Sequence, residues 1–249
     1  MNDLLMAFEV LIAIYKDGAY SNLELNKRVN GASNQAIVTR LVYGVLQKDV
    51  QLEYYLAKVA NKRPPKTVAI LLKLGMYALT YINSIPRYAV VDSLVTICEK
   101  YGKRQLKGFV NSALKNFDAS SIVLPKDKIE ALSVETSVPL WLVKAYSKQY
   151  GFEVTKEFLS VDTFTKEHIR PNLKRLTVEQ LKYMLKTQNI QYIQSDADGL
   201  FIDNNSYIKS LNEKGLITYQ SMTSMLAAQA MEVKEGESIL DMCSAPGGK

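Results

Sequence analysis

Pro64-Pro65-Lys66-Thr67-Val68-Ala69-Ile70-Leu71-Leu72-Lys73-Leu74-Gly75-Met76-Tyr77-Ala78-Leu79-Thr80-Tyr81 begins on two prolines, which break the preceding segment and can open a helix because their fixed φ suits its first turn. Behind them Val68, Leu71, Leu72, Ala78 and Tyr81 line up at helical spacing. The same period runs upstream through Leu4, Leu5, Phe8, Leu11, Ile12 and Tyr15, and again through Ile37, Leu41, Val42, Val45 and Leu46, so each segment carries one apolar stripe aimed at a core. Downstream, Pro86 separates this helix from two more, Tyr88 to Lys100 and Lys103 to Phe117. Helices joined by short turns predict an all-α bundle over residues 1–120, and a chain that is mainly α.

The run from Ser120 to Pro125 has no helical phase, and residues 121–136 read as a linker. Residues 137–214 read as a small α+β connecting and RNA-binding region. Two helices are expected there, Leu140 to Tyr150 and Glu153 to Asp162, with Gly151 as the stop between them. Arg170-Pro171-Asn172-Leu173 is extended, because the residue before a proline avoids the helical region. Thr177 with Gln180 makes a capping-box pattern, and Gln191–Ile193 and Leu200–Ile202 are short strands flanking the turn-rich Asp196-Ala197-Asp198-Gly199. Residues 215–249 change character: an extended Leu216–Tyr219, a helix from Thr223 to Met231, and a strand Ser238–Met242 that begins an incomplete Rossmann-like domain.

Two cysteines, Cys98 and Cys243, make no disulfide framework, and the single histidine, His168, leaves no metal cluster to assemble. A reducing cytoplasm is the expected home. No basic leader follows Met1, and no apolar run approaches the roughly 18 residues of a membrane span. The net charge is +6, unevenly spread: residues 54–118 hold 11 Lys and Arg against 3 acids, whereas residues 196–249 hold 8 acids against 4 basic residues. That segregation suggests a polyanion, RNA rather than membrane, although a solvated helical surface accounts for it equally well. By charge alone, Arg63, Lys66, Lys103, Arg104 and Lys107 are the candidate RNA contacts.

The last nine residues, Asp241-Met242-Cys243-Ser244-Ala245-Pro246-Gly247-Gly248-Lys249, form a glycine-ended loop behind the short apolar run Ser238-Ile239-Leu240. A phosphate loop would need a glycine where Cys243 stands, and the dinucleotide fingerprint G-x-G-x-x-G is absent, so neither an NTPase nor a dinucleotide enzyme is indicated. The full nine-residue string resembles the first S-adenosylmethionine motif of the RNA 5-methylcytosine methyltransferases of the Nop/Sun class. The preceding Leu216 to Met225 is similar to that family's approach segment, with Ser221 and Met222 at its acidic positions.

The helical front resembles NusB, an RNA-binding antitermination factor, in Leu41–Leu46, Leu74–Tyr77, Ile85-Pro86, Ala89–Asp92 and Phe109–Lys115. The two together are the arrangement of the Sun/RsmB family of bacterial small-subunit (16S) rRNA cytosine-5 methyltransferases, and the likeness extends to Ser137–Val143 and Arg170–Lys174. That resemblance implies an S-adenosylmethionine-dependent transferase with ribosomal RNA as partner, no metal, and a monomeric state. It implies Asp241, Cys243, Ser244, Ala245, Pro246, Gly247, Gly248 and Lys249 as cofactor-binding, with glycine amides near the methionine carboxylate. The family adds a cysteine thiolate to carbon 6 of the base, which makes carbon 5 nucleophilic toward the sulfonium methyl. Its cysteines lie beyond the first cofactor motif, so no catalytic residue is expected within this chain and Cys243 is not the nucleophile. The chain reads as the front of a longer enzyme, with weak or absent cofactor binding of its own. The rival is a non-catalytic NusB-like RNA-binding module with a vestigial tail.

Three further residues have structural readings. Trp141 is expected in the core rather than as a base-stacking platform, Cys98 as a buried small hydrophobe, and His168 at the surface.

Overall fold

The computed structural model describes residues 2–160, 166–203, 205–242 and 244–245. It is mainly helical with one small four-stranded sheet, and its contacts divide it into two compact units, residues 1–160 and 161–249.

The first unit begins with α1 (Asn2–Asp17), α2 (Ser21–Val29), α3 (Gln35–Gln47), α4 (Asp49–Val59), α5 (Lys66–Tyr81), α6 (Arg87–Lys100) and α7 (Lys107–Lys115). The double-proline helix α5 is buried continuously from Thr67 to Ala78 and packs on α1, α3, α4, α6 and α7. A helix that is apolar all round has no solvent face, so α5 becomes the axis around which the others present their stripes. Phe8, Leu11, Leu41, Leu52, Leu71, Leu72 and Leu94 are among the side chains that fill the core. Close approach requires glycine twice: a Cβ at Gly44 would run into the Tyr77 ring, and one at Gly75 would lie 2.6 Å from Leu114 Cδ2.

Residues 121–136, expected as a linker, carry α8 (Lys128–Thr136), followed by α9 (Leu140–Tyr150) and α10 (Phe152–Ser160). The missed signal is a cap: the Asp127 carboxylate accepts the amides of Ile129 and Glu130 at 3.0 and 2.9 Å. All three helices belong to the first unit, and α8 packs on α4. Ser137 closes α8 in the left-handed region, φ 57°, which costs a non-glycine residue strain. Its hydroxyl accepts the first-turn Gln51 amide of α4 at 3.2 Å, a buried bond that holds it there.

The second unit holds β1 (Glu167–Pro171), α11 (Val178–Thr187), β2 (Tyr192–Gln194), β3 (Leu200–Ile202), α12 (Ser206–Glu213), β4 (Ile217–Tyr219) and α13 (Met222–Gln229). The sheet is antiparallel in the order β2-β3-β1-β4, with Ile169 opposite Leu200 on one side and Tyr219 on the other. Ile169, Leu200, Ile202 and Ile217 pack with Leu181 and Leu185 of α11 and Ile208 and Leu211 of α12. The Thr177–Gln180 capping box forms as expected, whereas α12 was not foreseen; Asn205 starts it by accepting the Ile208 amide at 3.0 Å.

Three local expectations change. Ser238–Met242 is exposed and pairs with no strand among the described residues. Trp141 is 70% exposed, because the buried contact of α9 is made through Val143 on another face. His168 is 8% exposed, with Nδ1 2.7 Å from the Gln220 carbonyl oxygen and Nε2 2.9 Å from Ser195 Oγ. Its burial is tolerated because both ring nitrogens find partners just past the ends of β2 and β4. Cys98 is buried, and burial pushes its thiol pKa up.

Candidate nucleic-acid interface and cofactor loop

Two prolines end the α4–α5 connection and leave its preceding residues on the rim of a cleft facing α7. Lys62, Arg63 and Pro64 form one wall, Leu106, Phe109 and Asn116 the other, around about 790 Å³. Cations, an aromatic ring and an amide in one concavity suit a nucleotide chain, which offers phosphate, a π face and base edges.

Arg63 is positioned from beneath. Its Nη2 lies 2.7 Å from Glu53 Oε1, and Glu53 Oε2 lies 2.6 Å from the ammonium of Lys73, which is only 6% exposed in the middle of α5. Lys73 also meets Asp49 Oδ1 at 2.8 Å, and the Tyr15 hydroxyl donates to the same carboxylate. Burial first, and the Asp49 bond second, raise the Tyr15 pKa well above the ordinary phenol range. Lys16 donates to Thr67 Oγ1 at 2.6 Å beside this network. A buried ammonium needs anionic partners, so Lys73 fixes Glu53, and Glu53 fixes Arg63 at the cleft wall. Lys66, the first residue of α5, is exposed and forms no ion pair among the described residues.

Lys103, Arg104 and Lys107 lie on the segment leading into α7. Lys107 Nζ is 2.8 Å and Arg104 Nε 3.9 Å from Glu99 Oε1, and the Lys107 hydrogen bond holds the Glu99 pKa below the usual carboxylate value. Lys103 is half-buried, its carbonyl receiving the Cys98 thiol at 3.3 Å. The basic surplus of residues 54–118 is therefore smaller at the surface than in the sequence. Lys73 is inside, Glu53 from just outside this stretch offsets Arg63, and Arg87 is spent on the carbonyls that end α7, including that of Phe117.

Of the expected cofactor residues, Asp241, Ser244 and Ala245 are exposed; Cys243, Pro246, Gly247, Gly248 and Lys249 lie outside the described residues. Every residue from Met231 to Met242 is exposed, so the described part of this segment does not by itself enclose a seat for the cofactor. Ser221, standing at an acidic position of the family's approach segment, caps α13 by accepting the Ser224 amide at 3.2 Å. Among the described residues, no group of three or more His, Cys, Asp or Glu could hold a metal ion, and no helix is long and apolar enough to cross a membrane.

Sequence reasoning missed the contribution of Phe109, on α7, and of Asn116, its C-cap, which the sequence does not distinguish from ordinary helix residues. It also missed a second cleft, of about 540 Å³, where Arg170 and Lys174 stand near Asp198, Thr218 and Gln229. Asn172 braces that loop by donating to the Gly215 carbonyl at 3.0 Å and accepting the Lys174 amide at 3.2 Å. The run Arg170-Pro171-Asn172-Leu173-Lys174 was the available signal.

Residues 1–119 match the NusB family. The chain is 31% identical to a Bacillus subtilis (strain 168) protein named as a probable ribosomal RNA small subunit methyltransferase B, across 98% of this chain and 58% of that protein. It is 27% identical to the ribosomal RNA small subunit methyltransferase B of Pseudomonas syringae pv. tomato, across 100% of this chain and 57% of that one. The chain thus spans less than two thirds of the length of these relatives. The crystal structure of PH0851 superposes with a TM-score of 0.64 at 17% identity, covering 99% of this chain and 58% of that one, which shows a shared fold. A NusB-family domain occupies residues 1–119, and over nearly its whole length the chain is homologous to the bacterial ribosomal RNA small subunit methyltransferases B.

Proposed function

We propose that this chain is the RNA-engaging portion of a cytoplasmic, monomeric methyltransferase that forms 5-methylcytosine in small-subunit rRNA with S-adenosylmethionine. The observation that carries the reading is homology along the whole chain, both units included, to proteins named as small-subunit rRNA methyltransferases. When bound, S-adenosylmethionine supplies an electrophilic methyl group. The residues described here bind and orient RNA: Arg63 and Lys62 offer cations at the first cleft, Phe109 a ring, Asn116 an amide, and Lys66, Lys103, Arg104 and Lys107 further positive charge. Asp241 to Lys249 form the cofactor loop in this reading, and Cys243 within it is not the nucleophile.

Two measurements test it. Deleting the coding sequence in its host and mapping 5-methylcytosine in small-subunit rRNA by bisulfite sequencing is expected to remove the methyl from one cytosine; an unchanged map overturns the assignment. Affinity of the chain for an rRNA fragment is expected to fall steeply with salt, in proportion to the phosphates neutralised, and a flat response overturns the RNA contact. A second reading, an RNA-binding module without catalysis, draws support from the exposure of Ser238–Met242 to solvent. Low-micromolar S-adenosylmethionine binding by calorimetry would exclude it.

A further inference from the structure

Helix α9, Leu140–Tyr150, contains two lysines and no acid. Trp141, Lys144, Ala145 and Lys148 fall at i, i+3, i+4 and i+7, which places them on one face within two turns, and all four are exposed. Neither lysine is engaged in an ion pair, and Trp141 makes no ring contact, among the described residues. Elsewhere on the same helix hairpin the aromatic groups do find each other: the Tyr146 ring lies 5.8 Å from that of Phe158 and 6.2 Å from that of Tyr150. Trp141 stands apart from them, on the face that carries the cations.

An exposed indole of this size is a liability in water unless something covers it. The charge beside it selects the occupant. Two unpaired ammonium groups, one and two turns from the ring, favour a polyanion that also carries flat apolar faces, and they disfavour an apolar protein surface, which would have to bury both charges. Single-stranded nucleic acid has both attributes, and unstacked bases lie readily on an indole because every base has a π face. Ala145, the small residue between Trp141 and Lys148, keeps the surface low beside the ring so that a base can lie flat against it.

We propose that Trp141 is a base-stacking platform for single-stranded RNA, with Lys144 and Lys148 receiving the adjacent phosphates. This rests on the RNA-binding reading above and adds to it a specific strand state and a second contact surface, separate from the cleft beside Arg63. A duplex hides its base faces, so the site distinguishes single from double strands.

Trp141 is the sole tryptophan, so its fluorescence reports this position alone. The whole chain is titrated with a labelled, unstructured cytidine-rich 12-nucleotide RNA and with a duplex of equal length, following oligonucleotide anisotropy and tryptophan emission together. Quenching that tracks anisotropy for the single strand, and much weaker quenching for the duplex at equal occupancy, is the expected result. Trp141→Ala is expected to weaken single-strand binding roughly tenfold, equivalent to about 1.4 kcal/mol. The double variant Lys144→Gln, Lys148→Gln is expected to lower the salt slope of binding by about 1.4, two phosphates' worth, with helical circular dichroism unchanged.

Anisotropy that rises without any change in emission, with Trp141→Ala binding as tightly as the parent chain, overturns the platform and leaves RNA binding in place. No anisotropy change for any RNA overturns both. Emission that shifts to the blue with protein concentration alone assigns the face to a second copy of the chain and overturns the proposal.

Discussion

Gly199 closes the turn between β2 and β3 because the His168 ring fills the space a side chain would take. A Cβ there would lie 2.6 Å from Nε2 of His168 and 2.9 Å from the Ile169 carbonyl oxygen. The ring cannot swing aside, since its nitrogens meet Gln220 and Ser195, and the carbonyl belongs to the inner strand β1. Gly199→Ala is expected to destabilise the second unit by about 1–3 kcal/mol, read as a lower urea midpoint for loss of the sheet. Cys98 makes the opposite kind of point about a single residue. Burial raises its thiol pKa and the Lys103 carbonyl accepts its hydrogen bond, so it is an enclosed thiol that is held back from forming the reactive thiolate. Iodoacetamide labelling followed by peptide mass spectrometry is expected to leave Cys98 unmodified in the native chain and to modify it in urea.

At the scale of elements, the segment between α6 and α7 is a set of cations restrained by one carboxylate. Glu99 has its folded pKa lowered, chiefly by the Lys107 hydrogen bond. The contribution of this pair is thus fully present above the unfolded value, about 4.3, and is lost as pH falls through the folded one. Glu99→Gln removes the restraint at neutral pH. If this segment meets RNA, the variant is expected to bind an rRNA fragment a few-fold more tightly, with a salt slope steeper by about 0.7 to 0.9. Unchanged binding would remove Arg104 and Lys107 from the interface. Most elements were legible because their signals are local. The stripes of α1, α3 and α5, the prolines ahead of α5 and α6, and the capping box of α11 all lie within one or two turns of what they specify. The failures are of two kinds. Helices α8 and α12 depended on the single cap residues Asp127 and Asn205 in stretches that otherwise look irregular. His168 depended on partners far away in sequence, being buried by Ser195 and Gln220, and Trp141 on which face of α9 is covered, since the buried contact is made through Val143. The cleft was half legible, through Arg63, since its charge is visible in the sequence but the lysine that positions it from inside α5 is not distinguishable there from a surface one.

The described residues form a hydrophobic core in each unit, one built from α1 to α7 and one from the sheet with α11 and α12. A perturbation confined to one is expected to spare the other. Gly75→Ala puts a methyl 2.6 Å from Leu114 Cδ2 and 2.8 Å from Leu94 Cδ1, flexible side-chain ends that can yield at a cost of about 1–3 kcal/mol. Amide hydrogen exchange is expected to show reduced protection across α1 and α3 to α7 with unchanged protection in β1 to β4; loss in both would mean that the cores unfold as one. The bond between Ser137 and Gln51 bears on how the chain can be dissected. The NusB match stops at residue 119, an obvious place to cut, yet the α4 amide of Gln51 donates to Ser137, and the Tyr54 hydroxyl reaches the Val123 carbonyl at 2.7 Å. A fragment ended at 119 loses both partners and uncovers the flank of α4 that α8 shields, so it should be sticky in solution and bind hydrophobic dyes. One carried through to Ser160 keeps that flank covered, which makes the smallest well-behaved recombinant piece about forty residues longer than the family boundary suggests.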